Sequence, residues 1–181
     1  FEDRETALAA VCESFTRDSE RERNRALRMA RRSVEAEHGR ARTGWARQTA
    51  ARLINDCLAD NPVPAAIGEL LTGPWYASAQ LILLKFGESS KQWATMSETT
   101  VNLLYSLQPL DDASQERRQK VFDIVAGMPR EIRRWLLSLQ HDSDATDSAI
   151  GLVEYAHLRM HHGQQLQLVS LLSEVEGASR G

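Results

Sequence analysis

The sequence has few of the residues that build disulfides, zinc sites or phosphate-binding loops. Its 181 residues include only two cysteines, Cys12 and Cys57, which lie far apart and show no Cys-x-x-Cys spacing. The common zinc-knuckle and redox motifs need closely spaced cysteines, so their absence excludes these motifs. Glycine is sparse, and Gly73 and Gly87 stand alone, so no Gly-rich loop that cradles phosphates is present. We therefore expect two small, apolar-like cysteine side chains in a reducing cytoplasm, and no cofactor.

Long apolar runs are also missing. The longest uncharged run, residues 70–84, falls short of the roughly 20 apolar residues that span a bilayer. Residues 1–5 carry neither the basic nor the apolar region of a secretory signal. The chain does not begin with Met, as expected of a processed or excised fragment of a larger protein. A cytoplasmic location is the corresponding expectation.

Strand signals are almost absent from the sequence. Alternating runs rich in Val, Ile and Thr do not occur, whereas apolar residues recur three and four positions apart along most of the chain. With 42% hydrophobic residues and 181 positions, the chain is long enough for one full-sized core. The sequence predicts an all-α multi-helix bundle over residues 41–181, preceded by a long Arg-rich helix over residues 1–40.

Glycine and proline divide the bundle into helix-length segments. We expect Gly39 and Gly44 to break the first helix, and residues 141–148 to form a loop. Ser89 or Ser90, and Asp111, Asp112 or Ser114, are typical helix caps. The expected helices are residues 45–59, 65–71, 75–86, a segment ending before Pro109, a segment ending at Gly127-Met128-Pro129, 130–139, and a last helix from about Ala149 with a kink at Gly163.

The Arg-rich segment suggests a partner of opposite charge. Residues 17–52 contain eleven arginines and five acidic residues, a net charge of +6 in a chain whose total is −3. Such a surface binds nucleic acid, anionic lipid or an acidic protein face. No aromatic residue lies between Phe15 and Trp45, which disfavours stacking on single strands. A solvated or protein-contacting helix is favoured, and nucleic-acid binding through residues 17–52, testable by gel shift at low salt, stays an alternative.

An apolar line on a terminal helix predicts docking to a partner helix or to a second copy of the chain. The two candidate lines run from Leu8 to Phe15 and from Leu166 to Val175. Arginines would orient the partner. The predicted partner-binding residues are Leu8, Phe15, Arg21, Arg25, Arg28 and Arg32.

A second pattern near the end of the chain is that of a metal site. On a helix, Glu154, His157 and His161 share one face, and a carboxylate with two imidazoles suits a divalent metal. The spacing lacks the Glu that follows the first His in a zincin motif, and no ligand from a facing helix is indicated. His157 also continues an apolar line, which favours a hydrogen-bonded core imidazole. A metal-dependent enzyme is therefore an alternative.

Other catalytic patterns are weaker. Ser106 and Ser138 lie in no recognised nucleophile motif. The four tryptophans, Trp45, Trp75, Trp93 and Trp135, each continue a helical apolar line, which favours core anchors over a ligand cage. The residues thus favour a non-enzymatic interaction or regulatory module.

The segment pattern also resembles a known family. The resemblance rests on Val63-Pro64, Leu70-Leu71, Gly73-Pro74-Trp75, Gly87, Ser89, Trp93, Leu103-Leu104-Tyr105-Ser106-Leu107-Gln108-Pro109, Glu116-Arg117 and Met128-Pro129. Over residues 30–139 they are similar to an uncharacterised proteobacterial family, domain of unknown function 1631, whose members are sometimes labelled thymidine-phosphorylase-like. Tyr105 stands where the family pattern has Trp.

The resemblance implies a long cytoplasmic helical protein and no catalytic residues. Some members carry a cyclic-di-nucleotide-binding barrel of PilZ type elsewhere in the chain. This sequence has neither that barrel nor an Arg-x-x-x-Arg motif followed by a strand-borne Asp/Asn-x-Ser-x-x-Gly, so ligand binding is not carried over. A signalling effector linked to cyclic di-nucleotides stays a further alternative.

Overall fold

The computed structural model describes residues 2–110, 113–137, 142–161 and 168–169. The all-α prediction is confirmed. The helices are α1 (Glu2–Ala59), α2 (Ala65–Leu70), α3 (Tyr76–Phe86), α4 (Lys91–Ser106), α5 (Gln115–Leu137) and α6 (Ser143–His161). Two short strands, β1 (Val63–Pro64) and β2 (Leu168–Val169), pair antiparallel with Val63 opposite Val169.

The chain divides into two units, residues 1–42 and 43–181. The predicted break at Gly39 and Gly44 is wrong, because α1 runs without interruption from Glu2 to Ala59. Each interior glycine costs only about 1 kcal/mol relative to alanine. The flanking arginines and alanines are strong helix formers, and their summed preference outweighs that cost.

The predicted stop between residues 71 and 75 is a widened helical turn instead. Residues Leu71–Trp75 form a π-helical turn that joins α2 to α3. The N–H of Tyr76 donates to the carbonyl oxygen of Leu71, five residues back, as well as to that of Gly73. Pro74 has no N–H to donate, and the wider turn carries the chain past it.

A second proline also fails to end its helix. The predicted break at Gly127-Met128-Pro129 is wrong, since α5 continues through Pro129 to Leu137. Met128, Ile132 and Trp135 on the same helix are buried. Their burial offsets the hydrogen bond lost at proline.

The loop predicted for residues 141–148 is wrong over most of its length, because α6 begins at Ser143 rather than near Ala149. Asp142 explains the earlier start, since its carboxylate accepts from the N–H of Asp144 at 3.3 Å. Gly163 and most of the predicted line from Leu166 to Val175 lie outside the described residues. Leu168 and Val169 within that line form β2 rather than helix.

The predicted helix caps are confirmed where the structure describes them. Gly87 ends α3 with φ of +85°, a conformation that glycine adopts without steric cost. The hydroxyl of Ser90 caps α4 by accepting from the N–H of Trp93 at 3.1 Å. Ser114 caps α5 in the same way, accepting from Arg117 at 3.2 Å. These local signals therefore placed the end of α3 and the starts of α4 and α5 correctly.

The core lies in the second unit, between α2 to α6 and the last part of α1. Trp75 is fully buried and donates from Nε1 to Thr100 Oγ1 on α4 at 2.9 Å. The expectation of core tryptophans is correct for three of the four, because Trp45 is 36% exposed. None of the described helices contains an apolar stretch long enough to cross a membrane.

Candidate interaction surface

The first unit is a helix without a buried face. Every side chain from Asp3 to Arg42 is exposed. A helix of this length in a protein is normally stabilised by packing one apolar side against other elements. This segment buries none of its described side chains, so its exposed apolar residues are the first candidate for a binding surface.

Two groups of apolar residues share one side of this helix. Leu8, Cys12 and Phe15 form the first group, and Leu27, Ala30 and Val34 form the second. Leu8 is 67% and Phe15 is 76% exposed, and Leu27 and Val34 are both more than half exposed. We call these six residues the apolar stripe. Sequence reasoning selected only Leu8 and Phe15 from it.

A line of arginines occupies the opposite side. Successive residues of an α-helix are rotated by about 100° around its axis. Five arginines therefore fall within one sector that faces away from the apolar stripe: Arg17, Arg21, Arg25, Arg28 and Arg32. We call these five residues the arginine stripe. The four arginines predicted to bind a partner all belong to it. They do not flank the line from Leu8 to Phe15, so the two stripes are separate surfaces.

The arginine stripe is only partly neutralised by its own helix. Arg17 lies 3.8 Å from Glu13 and Arg21 lies 3.5 Å from Asp18, both as exposed pairs. For Arg25, Arg28 and Arg32 no ion pair is present among the described residues. Exposed pairs of this kind contribute little to stability. The positive charge on this side of the helix is therefore largely available.

The predicted metal ligands are not brought together. Glu154 and His161 are exposed on α6, whereas His157 is buried. Within the described parts of the chain no three His, Cys, Asp or Glu side chains lie close enough to hold a metal ion. Metal binding at Glu154, His157 and His161 therefore stays a prediction, and the described residues form no set of ligands around one position.

His157 instead forms a buried hydrogen bond between α6 and α4. Its Nε2 lies 2.8 Å from the hydroxyl of Ser106, and both residues are less than one tenth exposed. The Ser106 hydroxyl also lies 2.8 Å from the carbonyl oxygen of Leu103. A hydroxyl has one proton, so a serine that donates to Leu103 accepts from a protonated Nε2. Burial lowers the pKa of His157 to about 4, which keeps the imidazole neutral near pH 7.

A serine hydroxyl beside an imidazole is also the arrangement of a nucleophile and its base. Here the serine is 2% exposed and the imidazole 7%, inside the packed helices. The low pKa of His157 makes it a weak base at neutral pH. The arrangement therefore fits a structural link between two helices. Sequence reasoning missed Ser106 as the partner, since 51 positions separate the two residues and no local pattern connects them.

A shallow groove of about 320 Å³ lies between α4 and α5. Thr99 and Asn102 line one side, and Lys120, Asp123 and Glu131 line the other. The carboxylate of Asp123 accepts from the side-chain amide of Gln119 at 3.0 Å. Ile124, Gly127 and Met128 complete the lining. Apolar groups and charges of both signs thus share a groove that is open to solvent, and the lining selects no single class of ligand.

A comparison with models of protein families gives a match over most of the bundle. A family model described as "Protein of unknown function (DUF1631) third domain" matches residues 36–154. No curated protein and no solved structure matches the chain. The match covers more than half of the chain and includes most of the stretch, residues 30–139, on which the sequence resemblance rests. The chain therefore belongs to the DUF1631 family of proteins of unknown function, with residues 36–154 corresponding to the family's third domain.

Proposed function

We propose that this protein is a non-enzymatic interaction module that self-associates through the apolar stripe of α1. The observation that carries the proposal is the continuous exposure of residues 3–42, in which Leu8 and Phe15 are 67% and 76% exposed on the same side of a helix. Burial of such side chains is the main favourable term in most protein association.

The bundle supports the same assignment. His157 is buried against Ser106 and is neutral near pH 7, and the groove between α4 and α5 presents charges of both signs. Neither feature brings several polar side chains together around a position that a substrate would occupy. The matched family offers no activity to transfer, and its model begins at residue 36, after both stripes. The exposed helix is thus the feature that best supports a function.

Replacing both Leu8 and Phe15 with aspartate should weaken the association strongly. Each Leu or Phe side chain that is buried contributes about 1.5–3 kcal/mol. Losing two of them per chain, with a charge in place of each, predicts an association at least about 100-fold weaker, since every 1.4 kcal/mol is a factor of ten. Static light scattering of Leu8→Asp/Phe15→Asp across a concentration series measures this shift.

A matched control uses exposed apolar residues of the bundle. Val101 and Phe122 are 51% and 63% exposed, so Val101→Asp/Phe122→Asp adds the same charges at a different place. We expect this variant to associate as the unmodified protein does. Equal weakening by both pairs of substitutions, or no weakening by the first pair, would argue against the apolar stripe as the contact surface.

A further inference from the structure

The two groups of the apolar stripe are mirror images in sequence. Leu8, Cys12 and Phe15 are spaced by four and three residues, whereas Leu27, Ala30 and Val34 are spaced by three and four. Their midpoint is position 21. An axis of two-fold symmetry at that position places each group of one chain on the other group of a second chain. An interface with this symmetry uses the same surface on both partners.

We propose that two copies of the chain pair through this segment in antiparallel orientation, with position 21 on the two-fold axis. This inference rests on the self-association proposed above and adds its direction and register. Leu8 of one copy then lies opposite Val34 of the other, and Phe15 opposite Leu27. Cys12 lies opposite Ala30.

The spacing between the groups keeps them on one side of the helix. Leu8 and Ala30 are 22 positions apart, and so are Cys12 and Val34. This distance equals two repeats of 11 residues. A hydrophobic pattern that repeats every 11 residues, about 3.67 residues per turn, stays on one face of helices that supercoil slightly in the right-handed sense. Small side chains at Ala26 and Ala30 let two helices approach closely. Arg23 also lies on this side, between the two groups and opposite Ser19 of the other copy, so the apolar contacts of the pair lie on either side of it.

Charge selects the antiparallel direction over the parallel one. Residues 2–19 contain five acidic residues and two arginines, a net charge of −3. Residues 23–40 contain six arginines and two glutamates, a net charge of +4. Antiparallel pairing about position 21 places the negative half of each chain along the positive half of the other. This attraction acts between the halves as a whole and not through contacts in the apolar stripe, because Arg25, Arg28 and Arg32 face away from the partner. Parallel pairing places like charges together at every level, which is unfavourable.

The remaining charges are compatible with this register. The arginine stripe faces away from the apolar stripe, so its five guanidinium groups do not meet across the axis. One like-charge pair arises where Glu20 lies opposite Glu22 at the edges of the apolar stripe, and another where Glu5 lies opposite Glu37. The Glu37 carboxylate accepts a hydrogen bond from Arg40 at 3.1 Å, which offsets that repulsion.

Cys12 reports the direction of pairing. In the antiparallel register the two copies of Cys12 are 18 residues apart along the helices, about 27 Å at 1.5 Å per residue. A disulfide needs Cα atoms about 4.4–6.8 Å apart. In a parallel pair the same two cysteines would lie side by side. Cys12 is exposed and accessible to oxidants.

The test introduces a second cysteine opposite the first. In the full chain carrying Cys57→Ser, the substitution Ala30→Cys places a thiol opposite Cys12 of the other copy. Oxidation with copper phenanthroline should then give a covalent dimer on a non-reducing gel, at least about tenfold more than in a control with Ala36→Cys, whose thiols lie too far from Cys12 to bond. Without Ala30→Cys, the chain should stay uncrosslinked.

The possible outcomes test the direction of helix pairing separately from the self-association of the chain. Crosslinking through Cys12 alone would overturn the antiparallel arrangement. A dimer by light scattering that fails to crosslink with Ala30→Cys would overturn the register while leaving self-association intact. A monomer at all concentrations would overturn both.

Discussion

Replacing Trp75 with alanine should lower the free energy of unfolding by about 3–5 kcal/mol, the range for large aromatic side chains removed from a core. Trp75 is fully buried and links the π-helical turn to α4 through its hydrogen bond to Thr100. A loss of this size is a large share of the roughly 5–15 kcal/mol that stabilises a typical domain. Urea unfolding followed by far-ultraviolet circular dichroism measures it without depending on tryptophan fluorescence.

Two further variants separate the causes of that loss. Trp45→Ala removes a tryptophan that is 36% exposed, and we expect a smaller effect. Thr100→Val keeps the bulk but leaves the Trp75 N–H buried without its acceptor, a cost of about 1–3 kcal/mol. Equal effects of Trp75→Ala and Trp45→Ala would show that Trp75 does not anchor the core.

Acid should destabilise the bundle through His157. Burial lowers the pKa of this residue to about 4 in the folded protein, against 6.5 for an unperturbed histidine. Between these values the unfolded chain binds a proton that the folded chain does not. Stability is therefore fully present above pH 6.5 and is lost as the pH falls from 6.5 towards 4. A difference of this size corresponds to about 3 kcal/mol in total.

The substitution His157→Gln isolates this contribution. The glutamine amide reaches the Ser106 hydroxyl as a hydrogen-bond donor but has no proton to gain in this range. We expect the unfolding free energy of the variant to fall less between pH 6.5 and 4 than that of the unmodified protein. An identical pH dependence in urea unfolding of both proteins would show that His157 does not cause the loss.

The fold was predictable from the sequence where a local signal determines the structure. Gly87 and the caps at Ser90 and Ser114 act within one turn of helix, and each was located correctly. Gly39 and Pro129 carry equally clear local signals against helix, yet both are helical. Their cost is one or a few kcal/mol, and it is outweighed by strong helix formers around Gly39 and by buried neighbours of Pro129.

The candidate sites were less predictable because they depend on contacts between distant positions. Periodicity placed His157 on an apolar line but gave no partner, and Ser106 is supplied by another helix. The same limit applies to Trp75 and Thr100, which lie 25 positions apart. Along α1 the opposite holds. The stripes are repeats within one helix, so the sequence already contains them, and the structure adds that their side chains are exposed.

The most direct test of the proposed role is the mass of the unmodified chain in solution. Sedimentation equilibrium over a wide range of concentration should show the average mass rise from one chain to two and stop there, since an antiparallel pair with two-fold symmetry is closed. A mass that stays at one chain at every concentration would contradict self-association through α1. A mass that continues to rise beyond two chains would contradict the closed pair.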